Sequence, residues 1–227
     1  MSKLAFIFPG QGAQKAGMGK DFYENSEAAR SFFDHAQEIL DFDLKEMCFG
    51  EHEELNLTEY TQPCMVSVCL AIVQELKKRG INPDITAGLS LGEYAAVAAA
   101  GGMNELDAIK LVRRRGILMQ NTVPTGEGAM AAVLGLDAKK IEEILESFEN
   151  VWIANYNCPG QIVITGLTNE VKQASLALKE AGAKRVVELK VSGPFHSLLL
   201  KPAGEALLKE MESMSFSPLQ VPYIANA

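Results

Sequence analysis

Apolar positions in this chain fall into short continuous runs and longer helical stripes that alternate from one end to the other. Residues 3–8, Lys-Leu-Ala-Phe-Ile-Phe, predict a buried first strand, followed by a glycine-rich loop, Pro9-Gly10-Gln11-Gly12-Ala13-Gln14. From Ser26 to about Phe42, Ala29, Phe32, Phe33, Ala36, Ile39 and Leu40 recur at helical spacing. A second helix is expected after Thr61-Gln62-Pro63, with proline in its first turn and Met65, Val66, Cys69, Ile72, Val73 and Leu76 on its apolar face. Lys77, Lys78 and Arg79 suit its C-terminal dipole and Gly80 stops it. A short strand then leads through residues 84–88 into an alanine-rich helix at 95–100, and Asn104 caps a further helix to about Asn121.

Beyond Gly128 the pattern shortens. Ala129–Leu134, Val151–Asn155, Gln161–Thr165 and Arg185–Lys190 read as strands, and Ala138–Ser147 and Asn169–Ala181 as helices. The order β-α-β-β-α-β is the ferredoxin-like plan. We therefore expect an α/β protein: a parallel-sheet, hydrolase-like core carrying an inserted ferredoxin-like small subdomain. The core takes residues 1–123 and 192–227, the insertion residues 124–191, with hinges at Pro124-Thr125-Gly126 and Ser192-Gly193-Pro194. A helix at about Leu198–Ser213 and a strand at Val221–Ala225 close the chain.

Composition narrows the class. With 227 residues, 48% hydrophobic and 22% charged, the chain can bury a full α/β core. A net charge of −8 argues against nucleic acid or an anionic membrane as the main partner. Cys48, Cys64, Cys69 and Cys158 form no C-x-x-C and have no histidine at metal-ligand spacing, so they are expected to pack as small apolar residues, with no metal bound. The first apolar run is too short for a signal peptide and no stretch approaches transmembrane length, which points to the cytoplasm.

The candidate chemistry centres on Gly88-Leu89-Ser90-Leu91-Gly92, set between strand and helix. A nucleophile elbow needs that setting, because the turn is too tight for side chains beside the serine and the helix N-terminus faces an oxyanion. The loop around Gln11 is either an ordinary turn or a backbone N–H offered to a charged oxygen. Gln62 stands at a helix entrance, where a surface amide and a pocket amide look alike. Of Arg113, Arg114 and Arg115, only Arg115 has Leu111, Val112, Leu118 and Met119 as its helical neighbours. A guanidinium on an apolar face needs either a structural carboxylate or a ligand anion. His35 and His52 read as surface residues; His196, in a loop opening a helix, is either structural or a general base.

Taken together in this order, the Gln11 loop, the Ser90 elbow followed by Glu93-Tyr94, Arg115-Gly116 and Phe195-His196 with a ferredoxin-like insertion closely resemble the malonyl-CoA:acyl carrier protein transacylases of type II fatty acid synthesis. The resemblance spans essentially the whole chain. It implies Ser90 as the nucleophile and His196 as its base and later acid, with the backbone N–H groups of Gln11 and Leu91 as the oxyanion hole. It implies Arg115 as a bidentate clamp on the malonyl carboxylate, with Gln62 and Phe195 lining the same pocket. Asn157, Gln161, Lys184 and Arg185 match positions near the coenzyme A and carrier entrance. Malonyl-CoA and acyl carrier protein would be the partners, and no cofactor is implied.

Two departures from the family pattern stand out. Leu89 occupies a position usually held by histidine. Family members also continue past the equivalent of Ala227, so the C-terminal part of the family domain, with its acceptor for the catalytic histidine, is expected to be absent. Rival readings are a serine esterase or thioesterase using the same elbow, and a truncated domain that binds acyl carrier protein without catalysis.

Overall fold

The computed structural model describes residues 3–124, 126–189, 191 and 193–226. Three expectations touch residues outside that set: the hinge positions Thr125 and Ser192, and the strand end at Lys190. The chain divides into two compact units, residues 1–117 with 207–227, and residues 118–206.

In the first unit, strand β1 (Ala5–Phe8) is followed by helices α1 (Lys20–Asn25), α2 (Glu27–Glu38), α3 (Leu44–Phe49) and α4 (Thr58–Lys78). Strand β2 (Ile85–Gly88) feeds α5 (Gly92–Ala99), and α6 (Glu105–Thr122) begins after it. Ser26 caps α2 by accepting the Ala29 N–H at 3.1 Å, and its hydroxyl donates to Glu75 on α4. The stripe of Ala29, Phe32, Phe33 and Ala36 is buried in the same apolar cluster as Val66, Leu70 and Val73 of α4. The Asn104 side chain accepts the Leu106 N–H at 2.9 Å, as a cap should.

Helix α4 starts at Thr58, before the expected Thr61-Gln62-Pro63 entrance, so Pro63 lies inside it rather than in its first turn. Proline has no N–H for the carbonyl four residues back. Here that carbonyl, Glu59 O, accepts from Arg113 Nη1 at 2.8 Å. Close approach of α6 at the same place explains Gly116, where a Cβ would lie 2.7 Å from both Glu59 Cα and Thr58 O.

The sheet of this unit is parallel, in the order β1-β2-β7, with β7 at Tyr223–Ile224. Phe8 and Thr86 are buried, and the Thr86 hydroxyl donates to Ala96 O of α5 at 3.0 Å. The opposite face carries Ile7, Ala87 and Ile224 in one row across the three strands. Ile7 is 77% exposed there, so the expected buried first strand is buried on one face only. An apolar run shows that a strand can be covered on both sides, not that it is.

The second unit contains β3 (Gly128–Leu134), α7 (Ala138–Leu145), β4 (Val151–Cys158), β5 (Gln161–Leu167), α8 (Thr168–Glu180) and β6 (Arg185–Glu188). Its sheet is antiparallel in the order β4-β5-β3-β6. Alternation along β3 sorts its faces. Ala129, Ala131 and Val133 pack with Ile141, Leu145, Val171, Ala174 and Leu178 of α7 and α8. Met130 and Ala132 pack with Val123, Val163, Phe195 and Leu200.

That second face accounts for the unit boundary. Met119, Val123, Phe195, Leu199 and Leu200 cover it, so residues 118–123 and 193–206 group with the smaller unit rather than with the core expected from the sequence. The boundary falls within α6 and within α9 (Lys201–Glu212), not at the glycine–proline turns.

The cysteines do not all behave alike. Cys48 and Cys64 are buried, and burial pushes the thiols of Cys64 and Cys69 up, that of Cys69 to about 11. Cys158, at the end of an outer strand, is exposed, contrary to the expectation that all four would pack inside.

Candidate active site

Ser90 sits between β2 and α5 with φ of +49°, in the left-handed region. A non-glycine residue there costs roughly 1–2 kcal/mol and persists only where its surroundings hold it. The flanking glycines are required by clearance. A Cβ on Gly88 would lie 2.1 Å from the Gly92 carbonyl group, and one on Gly92 would lie 2.3 Å from Phe8 O. Turn hydrogen bonds run from Gly92 N to Leu89 O at 2.9 Å and from Glu93 N to Ser90 O at 3.1 Å. Leu89, the residue in place of the usual histidine, donates its N–H to Phe8 O at 3.1 Å and leaves its side chain half-exposed.

The Gln11 loop lies against this turn. A Cβ on Gly10 would stand 2.8 Å from Leu89 O. Among the described residues, neither Gln11 N–H nor Leu91 N–H has an acceptor, whereas the Ser90 N–H donates to Asn226 Oδ1 at 2.9 Å. Two free backbone donors beside a serine are what an oxyanion hole requires. Gln62 is fully buried, which removes the surface-amide alternative, and its Nε2 lies 3.5 Å from Gln11 Oε1. Gln11 in turn donates to Thr58 Oγ1 at 3.2 Å, so a short amide chain braces the loop from α4.

The three arginines of α6 separate by partner. Arg113 forks onto Asp41 at 2.9 and 3.0 Å, pairs with Glu59 Oε2 at 3.0 Å, and lies over the rings of Phe42 and Tyr60. Arg114 pairs with Glu210 at 2.9 Å. Arg115 has no carboxylate partner among the described residues. Its guanidinium carbon stands 5.4 Å from the ring centre of Tyr94, on the first turn of the elbow helix. The structural carboxylate that would have explained Arg115 is thus missing, and a half-buried cation is left beside the elbow helix with anion-binding capacity unused. Tyr94 is the aromatic neighbour of Arg115, and a tyrosine four residues beyond the serine carries no signal of its own in the sequence.

In the second unit, His196 has φ of +59°. Ser90 and His196 are the only non-glycine residues with positive φ among the described residues. His196 is exposed between buried Phe195 and Ser197, whose hydroxyl donates to Pro194 O at 2.7 Å. Phe195 packs with Val123, Met130, Ala132, Val163 and Leu200. The four entrance candidates gather at one end of the sheet. Cys158 pairs with Gln161, Gln161 with Leu134, and Leu134 with Arg185, while Asn157 and Lys184 are the adjoining residues. Among the described residues, no three His, Cys, Asp or Glu side chains gather to hold a metal, and no helix is long and apolar enough to cross a membrane.

A parallel sheet that delivers a left-handed serine to a helix N-terminus, beside free backbone donors, is the architecture of α/β enzymes that transfer acyl groups through a serine. Residues 5–227 match the Acyl transferase domain family, and the chain belongs to it. It is 48% identical over 231 residues to a malonyl CoA-acyl carrier protein transacylase of Bacillus subtilis, covering 100% of this chain and 73% of that protein. An acyl carrier protein S-malonyltransferase from Vibrio cholerae superposes with a TM-score of 0.95 at 42% identity, over 100% of this chain and 76% of that one. A type II PKS acyl-carrier protein in complex with its malonyl-transacylase gives 0.96 at 39% identity, over 100% and 75%.

Proposed function

We propose that this protein transfers a malonyl group from coenzyme A to the phosphopantetheine thiol of an acyl carrier protein, through a malonyl ester on Ser90, for fatty acid synthesis. Ser90 Oγ attacks the thioester carbonyl as His196 takes its proton, and the N–H groups of Gln11 and Leu91 stabilise the oxyanion. The C–S bond breaks and coenzyme A leaves as the thiol, carrying the proton from His196. The carrier thiol then gives its proton to His196 and attacks the ester, and Ser90 Oγ recovers a proton as the malonyl thioester departs. No metal or redox partner enters the balance.

The observation that carries this reading is Arg115, a half-buried guanidinium over Tyr94 without a carboxylate of its own. A malonyl carboxylate supplies the missing anion, whereas an acetyl group leaves the cation unpaired. A simple esterase would have no use for it. Gln62 and Phe195 are the further substrate-binding residues of this reading, with Phe195 as the limit on acyl bulk. The strand order β4-β5-β3-β6 within β-α-β-β-α-β supports a ferredoxin-like plan for the small subdomain. At its sheet end Asn157, Gln161, Lys184 and Arg185 would meet coenzyme A or the carrier protein. Such an enzyme would work in the cytoplasm.

Intact mass after brief exposure to malonyl-CoA or acetyl-CoA tests the proposal. We expect a malonyl adduct on Ser90 that a carrier thiol discharges, and none in Ser90→Ala. Arg115→Ala should lose about 10- to 150-fold in malonyl loading, since hydrogen bonds to a charged group are worth roughly 1.5–3 kcal/mol, while acetyl loading changes little. Malonyl preference retained in Arg115→Ala would sink the clamp.

A further inference from the structure

The Ser90 turn is held by a side chain 136 residues away in sequence. Asn226 Oδ1 accepts the Ser90 N–H at 2.9 Å, and Asn226 Nδ2 donates to Gly88 O at 2.7 Å and to Glu93 Oε2 at 2.9 Å. The Asn226 N–H donates to Glu93 Oε1 at 3.2 Å. One amide therefore binds the two backbone groups that bracket Leu89, and one carboxylate holds that amide in place.

The arrangement follows from the sheet. The parallel pairing of β2 with β7 runs through Thr86–Tyr223 and Ala87–Ile224, with Thr86 N donating to Pro222 O at 3.0 Å. The pairing with β7 ends at Ala87 while the chain turns into the elbow after Gly88, which leaves Gly88 O and Ser90 N–H without a β7 backbone partner. A side-chain amide sets a donor beside an acceptor as a peptide group does and has a second N–H to spare for Glu93, so Asn226 continues the ladder beyond its geometric end. The segment bearing it is anchored further back, by Ser217 N to Gly102 O at 2.9 Å and Gln220 N to Ala100 O at 2.8 Å.

We infer that Asn226, oriented by Glu93, is a positioning residue for the nucleophile: it locks the left-handed Ser90 peptide so that the Leu91 N–H stays aimed at the oxyanion. This rests on Ser90 being the acyl-accepting serine. The pairing also accounts for a carboxylate so close to a site where negative charge develops. Two donors from Asn226 occupy Glu93, so its charge is spent on the elbow's support. Glutamate in the first turn of α5 is favourable to the helix dipole as well.

Two substitutions separate positioning from stability. Asn226→Leu removes all three side-chain hydrogen bonds at similar size. Asn226→Asp keeps an oxygen for the Ser90 N–H but loses both side-chain donors and sets a second negative charge against Glu93. We expect each to lower kcat for malonyl transfer, per folded molecule, about 10- to 100-fold, the scale of a misplacement near 1 Å. KM for malonyl-CoA should stay within about twofold, because neither residue touches the substrate in this reading. Adding Glu93→Gln to Asn226→Asp relieves the repulsion and returns a donor, and should recover at least about tenfold in kcat. The inference is overturned if kcat per folded molecule equals that of the unaltered protein, if losses follow the unfolded fraction alone, or if Glu93→Gln gives no recovery. Ser90→Ala is run beside them. Transfer that survives Ser90→Ala refutes the serine reading itself; transfer lost in Ser90→Ala but intact in both Asn226 variants refutes only the positioning role.

Discussion

Replacing Arg113 by methionine would remove a cation on which three structural groups depend. The side chain is 11% exposed, and it pairs with Asp41 and with the Glu59 carboxylate while capping the Glu59 carbonyl that Pro63 cannot reach. Breaking a buried ion pair from one side costs about 3–5 kcal/mol. Asp41, however, is 67% exposed, so water takes over most of what it loses and that share shrinks to about 1 kcal/mol or less. The Glu59 carboxylate is more sheltered, and its carbonyl becomes an orphan acceptor worth roughly 1–3 kcal/mol. Methionine retains much of the packing against Phe42 and Tyr60. We expect a net loss of about 2–4 kcal/mol in urea unfolding, with the slope unchanged.

The carbonyl contribution can be isolated. Pro63→Ala restores an N–H at the helix position that faces Glu59 O, so it should recover about 1 kcal/mol in the Arg113→Met background. In the unaltered protein the same change should gain less, because Glu59 O already has its donor. A double-mutant cycle measures the difference directly. A loss below about 1 kcal/mol for Arg113→Met, or Pro63→Ala effects equal in both backgrounds, would refute the reasoning.

Other outcomes follow from the same geometry. Gly92→Ala forces a Cβ against Phe8 O and should cost about 1–3 kcal/mol and most malonyl loading; normal loading with unchanged thermal unfolding would contradict the clearance argument. The Arg113 guanidinium, hydrogen-bonded to Asp41, holds that carboxyl below its ordinary 3.8. A depressed carboxyl gives stability that is present above the unfolded value and lost as pH falls through the folded one. The protein should therefore exceed Asp41→Asn in stability at pH 6 by up to about 1 kcal/mol, and the gap should close as pH falls below 3.8. A gap independent of pH would refute the pairing. Finally, native alkylation should modify one thiol quickly, Cys158, while Cys48, Cys64 and Cys69 wait for unfolding; mass spectrometry of the labelled peptides checks this.

Most elements were legible because helix and strand periods survive in the apolar pattern. Their partners were less so. The stripe on α6 marked Arg115 as the embedded arginine, since the reading used only neighbours on its own helix. Arg113 proves the more deeply held, because Asp41 and Glu59 come to it from other parts of the chain. The same limit hid the early start of α4: Pro63 reads as a first-turn residue until an arginine from another helix is seen to satisfy the carbonyl it frees. Domain limits drawn at glycine–proline turns missed that a sheet with two apolar faces recruits chain from beyond those turns.

The nucleophile shows where sequence signal ends and tertiary structure begins. Gly88 and Gly92 are visible in the sequence because clearance excludes every other residue type, and they locate the turn. Clearance only permits a left-handed serine; it does not hold one. What holds Ser90 is the Asn226 amide, which accepts the Ser90 N–H and donates to Gly88 O, with the carboxylate behind it, and nothing in the stretch Ile-Ala-Asn-Ala marks that asparagine out. The strain is recorded in residue types where it is relieved by removing atoms, and is silent where it is balanced by adding contacts from far along the chain.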